Sequence, residues 1–233
     1  MRNNKGNVLF IILIGILLSA LLAETISSFM STTREPDVDR AKALVAHIDE
    51  QETLIRNAYN MLRMANDCDV TEINFTLTET ASYNSNAPAS GRCDMYGAKG
   101  GAIRPMSPAK EAQMTLDNAY EEFWLENAGI EIDGLGTTDS ADTDCAGCEL
   151  TLVLYNLTDE VCRQINMNRV GVRTIYEMEG TDEIVQQAFD VTFANNTLID
   201  AADSATLVGQ RAFCIKEAGG GERNIYISVL EVR

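Results

Sequence analysis

The residues with the most chemistry to offer are six cysteines, Cys68, Cys93, Cys145, Cys148, Cys162 and Cys214. An even number, all far from the N-terminal segment, suits disulfides in an oxidising compartment. Six thiols allow 15 pairings. Order along the chain favours Cys68 with Cys93, Cys145 with Cys148, and Cys162 with Cys214. A Cys68–Cys93 link would pin a segment with little hydrophobic content, a gain of about 3 kcal/mol in the chain-entropy account. Cys145-Ala-Gly-Cys148 also has the form of a redox or zinc motif. A redox pair needs a thiol of lowered pKa, whereas the acidic TTDSADTD that precedes this one raises it. Zinc would require two further ligands, and the chain has one histidine, His47, and no second C-x-x-C. A structural disulfide is the expected role.

The acids Asp133, Asp139, Asp142 and Asp144 offer hard oxygen ligands, the donor set for calcium. Their spacing is not that of an EF-hand, and a solvated acidic loop is the competing reading. No other cofactor is expected. His47 falls within a helical pattern beside core positions and has no second histidine with which to form a dyad. No glycine-rich loop carries a P-loop lysine, and the GGG at residues 219–221 reads as a turn. The sequence therefore points away from an enzyme.

The elements that must position these residues begin with an anchor. Residues 8–23, VLFIILIGILLSALLA, carry no charge, and as a helix they would cover about 24 Å of a hydrocarbon core of about 30 Å. Ile26, Phe29 and Met30 extend the apolar face past Glu24. Arg2 and Lys5 precede the run, whereas the remainder carries 16 basic against 35 acidic side chains, a net of −19. The positive-inside rule then gives a single pass through the inner membrane, with the N-terminus cytoplasmic and everything after the anchor periplasmic or on an extracellular filament. So acidic a domain is a poor partner for nucleic acid.

Pro36 marks a break, and from Asp37 to about Ala65 apolar residues recur at Ala41, Leu44, Val45, Ile48, Ile55, Tyr59 and Leu62, the spacing of an amphipathic helix. Asp37 and Asp39 occupy its first turn, where the helix dipole favours them. Short segments follow. A strand is expected from Ile73 (INFTLTET), a loop over YNSNAPASGR, and a helix or irregular helical segment from Ser107 and Pro108 to Gly129 with Phe123, Trp124 and Leu125 as core anchors. Residues 130–135 and 149–157 read as strands, LTDEVCRQINMNR as a helix capped by Thr158, and residues 188–193 as a further strand. Residues 213–216 and 224–232 read as a closing hairpin around the GGG. The fold class is α+β, a long N-terminal helix packed on an antiparallel-sheet head. Its parts are a basic leader (1–6), a transmembrane or filament-core helix (7–30), an amphipathic helix (37–66) and a disulfide-bearing globular head (67–233).

The basic MRNNKG followed at once by the apolar run resembles a type IV prepilin leader, which a prepilin peptidase cuts after a glycine. This resemblance implies cleavage between Gly6 and Asn7. A Sec signal peptide cut near Ala23 and an uncut anchor are the competing readings. GNVLFIILIG, RMANDC, CDMYGAKGGAI, LTDEVCRQIN and FCIKEAGGGERNIYISVLEVR together resemble uncharacterised pilin-like proteins of alphaproteobacteria over nearly the whole chain. The resemblance implies a non-enzymatic minor pilin or pseudopilin of a type IV pilus or type II secretion-like filament, whose partners are other pilin-like subunits. Pilins usually carry Glu at the fifth mature position; counted from Asn7, that place holds Ile11. A buried amine on a neighbour would then lack its carboxylate, which fits a subunit at a filament tip. The alternative is a membrane-anchored or secreted periplasmic or extracellular binding protein.

Overall fold

The computed structural model describes residues 36–76, 84–114, 122–136, 148–178, 197–200, 204–217 and 223–233. The chain divides into two compact units, Met1–Asp39 and Arg40–Arg233. Among the described residues no helix is long and apolar enough to cross a membrane. The apolar run at 8–23, the cleavage site at Gly6 and Asn7 and the strand expected at 188–193 lie outside them.

Helix α1 (Pro36–Met64) is 29 residues long, about 43 Å at 1.5 Å per residue. It has the expected bounds to within a residue or two, with Asp37 and Asp39 in its first turn and Arg63 in its last. Its buried stripe is Val45, Ile48, Ile55, Ala58, Tyr59 and Leu62. That stripe faces a six-stranded sheet in the order β3-β5-β6-β2-β1-β4, made of β1 (Leu125–Ile132), β2 (Glu149–Leu157), β3 (Tyr176–Glu177), β4 (Thr197–Ile199), β5 (Ala212–Lys216) and β6 (Asn224–Glu231). The four central strands pair antiparallel as expected. The short edge strands β4 and β3 pair parallel to β1 and β5.

Every described side chain of β1 and β2 is buried, so the sheet has a core on each face. On one, Leu150, Leu152, Leu154, Cys214 and Tyr226 meet α1 and Val161, Cys162 and Ile165 of helix α2 (Asp159–Arg169). On the other, Val153, Tyr155, Phe213, Ile215, Ile225, Ile227 and Val229 pack with Ile130, Ile132, Met178, Ile199 and Leu207. Odd and even residues of β5 and β6 divide between the two cores with the period of a strand.

β2, α2 and the β5–β6 hairpin fall where the sequence places them. Thr158 holds the N-cap position of α2 but makes no side-chain cap bond, leaving Asp159 and Glu160 to favour the helix start. Two expectations are corrected. Among the described residues of the stretch from Ser107 to Gly129, the helix expected there is replaced by a 3₁₀ turn, Lys110–Ala112, and by β1, which already begins at Leu125. Residues 115–121 lie outside the described set. Burial between two layers overrides the weak strand preference of Glu126, Asn127 and Ala128, and a register shift between Asn127 and Ile130 absorbs the irregularity. Phe123 is half-buried, whereas Trp124 and Leu125 are core residues. The strand expected from Ile73 is also absent over residues 73–76. A 3₁₀ turn, Val70–Glu72, precedes it, and Asn74 makes an isolated bridge to Asp94 while Ile73 and Phe75 fill the core. Here hydrogen bonds from the Asn84 side chain to the Thr71 and Ile73 carbonyls stand where a neighbouring strand would be.

Candidate functional site

Two of the expected disulfides are present. Cys68–Cys93 ties the end of α1 to the segment that follows, and Cys162–Cys214 ties α2 to β5. Cys148 is also disulfide-bonded, while Cys145 lies outside the described residues. Among the calcium candidates only Asp133 is described. It is half-buried, its backbone N–H donates to Ile199 O and its carbonyl accepts from Gly209. Asp139, Asp142 and Asp144 lie outside. Among the described residues no three histidine, cysteine or acidic side chains are grouped to hold a metal. His47 is half-exposed, with Nε2 3.3 Å from Gln51 Nε2 and Nδ1 3.9 Å from Glu50.

The most built polar constellation went unread in the sequence. It is the seam where α1 meets β6 and the end of α2. Glu52 replaces an apolar residue in the buried stripe of α1 and is 5 % exposed. Its Oε1 accepts from Ser228 Oγ at 2.6 Å and Arg56 Nε at 2.7 Å. Its Oε2 accepts from Tyr226 at 2.7 Å and Arg169 Nη2 at 2.9 Å. Arg56 also donates to Ser228 and Arg169 to Asp49. One turn further along, Tyr59 and Arg63 both donate to Glu231. On the other side Gln51 accepts from Trp124 Nε1 at 3.0 Å and donates to Ser107 O at 2.7 Å. Trp124 stands edge-on to Tyr226, with ring centroids 5.7 Å apart.

The electrostatics follow from this geometry. Burial alone would push the Glu52 carboxyl up, but hydrogen bonds from Ser228, Tyr226 and Arg56 outweigh it and hold the group below the usual carboxylate range. Burial followed by the charge of Glu52 raises the Tyr226 hydroxyl, so the tyrosine stays a donor. Asp49 is raised, chiefly by burial against the opposing pull of Arg169. A fully partnered, ionised carboxylate of this kind fixes geometry; it has no proton to give and no open face for a substrate. The sequence signal for it was an acid four residues after Ile48 and three before Ile55, within the apolar stripe.

Two surface hollows lie among the described residues. One of about 310 Å³ is lined by Pro108, Lys110, Gln113, Met114 and Glu122. The other, of about 320 Å³, lies beside the start of α2 and holds Arg163, Arg173 and Lys216. Each of these cations already faces a carboxylate, of Asp159 or Glu160, Glu160 and Glu177 respectively. Neither hollow pairs a nucleophile with a base. No family model, curated protein or solved structure matches the chain.

Proposed function

We propose that this protein is a non-enzymatic, membrane-anchored, pilin-like subunit that joins a type IV pilus or type II secretion-like filament in low copy number, at or near its tip. The observation that carries the reading is α1. It follows the uncharged run at 8–23 in the chain, lies by one face on the sheet of an acidic head, and leaves Leu54, Met61 and Met64 exposed along its length. A helix so placed can give lateral contacts to other subunits while the head faces outward. The disulfides support an oxidising location. Ile11 at the place of the usual carboxylate argues for a position where no neighbour's amine needs neutralising.

Mass spectrometry of the protein from native membranes tests the processing step. Cleavage between Gly6 and Asn7, with the apolar helix retained, is the expected result. A mature terminus at Glu24 would replace this reading with that of a secreted binding protein, and an uncut leader with that of a plain membrane anchor.

A further inference from the structure

Among the described residues the most completely buried carboxyl lies outside the α1 seam. Glu149 opens β2 and is wholly buried, directly after the buried, disulfide-bonded Cys148. Its Oε2 accepts the backbone N–H of Ile132 at 3.0 Å. Ladder pairing places Glu149 opposite Ile130, so the carboxyl reaches past the described end of the ladder to hold the last residue of β1. Its Oε1 is buried and has no hydrogen-bond partner among the described residues. A second buried carboxylate, Glu131, lies on the same end of β1.

We propose that Glu149 is a proton-operated latch: protonated, it holds the end of β1 against β2; ionised, it loosens that end and the elements attached to it. Those elements are defined by β1 itself. β4 pairs with Ile130, Glu131 and Ile132. Just beyond, the Asp133 backbone N–H donates to Ile199 O, and Asp133 O accepts from Gly209. The latch therefore controls the attachment of the segment that contributes Ile199 and Leu207 to the second core.

A buried ionised carboxylate with half its acceptor capacity unused is costly, whereas a neutral carboxyl at the same place is not. The charged groups described on neighbouring elements are Glu126, Glu131 and Asp133 on or beside β1, Glu231 and Arg233 on or after β6, and Asp200 after β4. Glu231 is engaged by Tyr59 and Arg63. The charge that acts on Glu149 is that of Glu131, and it repels. Burial is the larger effect, and together they push the Glu149 carboxyl up to about 7 against the pull of the Ile132 and Glu149 amides.

The test is hydrogen exchange across β1 and β2 in the full, oxidised chain in detergent from pH 5 to 8.5, corrected for intrinsic exchange, with the Glu149 side-chain carboxyl followed by carbon-13 resonance. Protection over residues 125–132 should fall on the order of tenfold or more with a midpoint near that of the carboxyl. Protection over α1 should not follow it. In Glu149→Gln the protection of β1 should lose its pH dependence. If that variant fails to fold, the wild-type resonance decides. A Glu149 midpoint at the ordinary carboxylate value, or β1 protection in Glu149→Gln that still falls as in wild type, would overturn the latch. Neither result bears on filament assembly, which is judged separately by processing at Gly6.

Discussion

Glu52 and Glu149 are both carboxyl groups buried against the same sheet, yet their surroundings shift them in opposite directions, Glu52 toward the ion and Glu149 toward the neutral acid. Glu52 has two donors on each oxygen, two of them guanidinium groups from Arg56 and Arg169. Glu149 has backbone amides on one side, an oxygen with no partner among the described residues and a like-charged neighbour. Burial costs the charged form in both places. The number and charge of the partners decide whether the ion survives. The seam is thus built to fix the register of α1 on the sheet, and the β1–β2 end is built to respond to a proton.

The largest expected effect is that of Glu52→Ala. It leaves Arg56 and Arg169 without their buried counterion and should lower head stability by about 3–5 kcal/mol, read from denaturant unfolding of the oxidised chain. Trp124 is the sole tryptophan. Because it touches both Gln51 and Tyr226, its fluorescence reports the seam directly. Loss of the Cys162–Cys214 link, which spans 52 residues, should cost about 2–5 kcal/mol. Because Asn166 separately binds the Cys214 N–H and carbonyl, α2 should stay docked and the Trp124 signal should change less than in Glu52→Ala.

The pH responses sharpen the contrast. The Glu52 carboxyl is lowered in the fold, so its contribution is present above the ordinary carboxylate pKa of 4.5 and is lost as pH falls through the lowered value. The Glu149 carboxyl is raised, so its contribution is complete below 4.5 and is lost as pH rises through about 7. Stability should therefore decline on both sides of mildly acidic pH. Glu149→Gln should remove only the alkaline decline, gaining about 1–3 kcal/mol at pH 8 and nothing at pH 4. The smallest effect belongs to Asp49→Asn. Asp49 is more than a third exposed on its side chain, and its pair with Arg169 should change stability by less than about 0.5 kcal/mol. A loss as large as that of Glu52→Ala would mean that Asp49, rather than Glu52, anchors Arg169.

Much of this frame was legible in the sequence, and the exceptions share a cause. The stripe of α1, the start of α2, the closing hairpin and the pairings Cys68–Cys93 and Cys162–Cys214 follow from periodicity, turn residues and order along the chain. The first part of β1, residues 125–129, was read as helix because residues 107–129 are rich in helix formers, and only burial on both faces makes it a strand, whereas its last residues, 130–132, were read as strand. Glu52 and Glu149 share that blindness. An acid in an apolar pattern looks like a solvated interruption until Arg169, Tyr226 and Ser228, more than a hundred residues away in the chain, are brought to it. Nothing local distinguishes a carboxylate that will be paired from one that will be left with a proton.

The functional account stands on assembly, and sheared filaments test it most directly. Quantitative proteomics should find this chain in the filament fraction at a small proportion of the major subunit, with its head disulfides intact. Its deletion should reduce the number of filaments without changing the shaft. Absence from filaments while the protein remains in the membrane fraction would contradict the account, and recovery as the stoichiometric repeating subunit would contradict its placement at the tip.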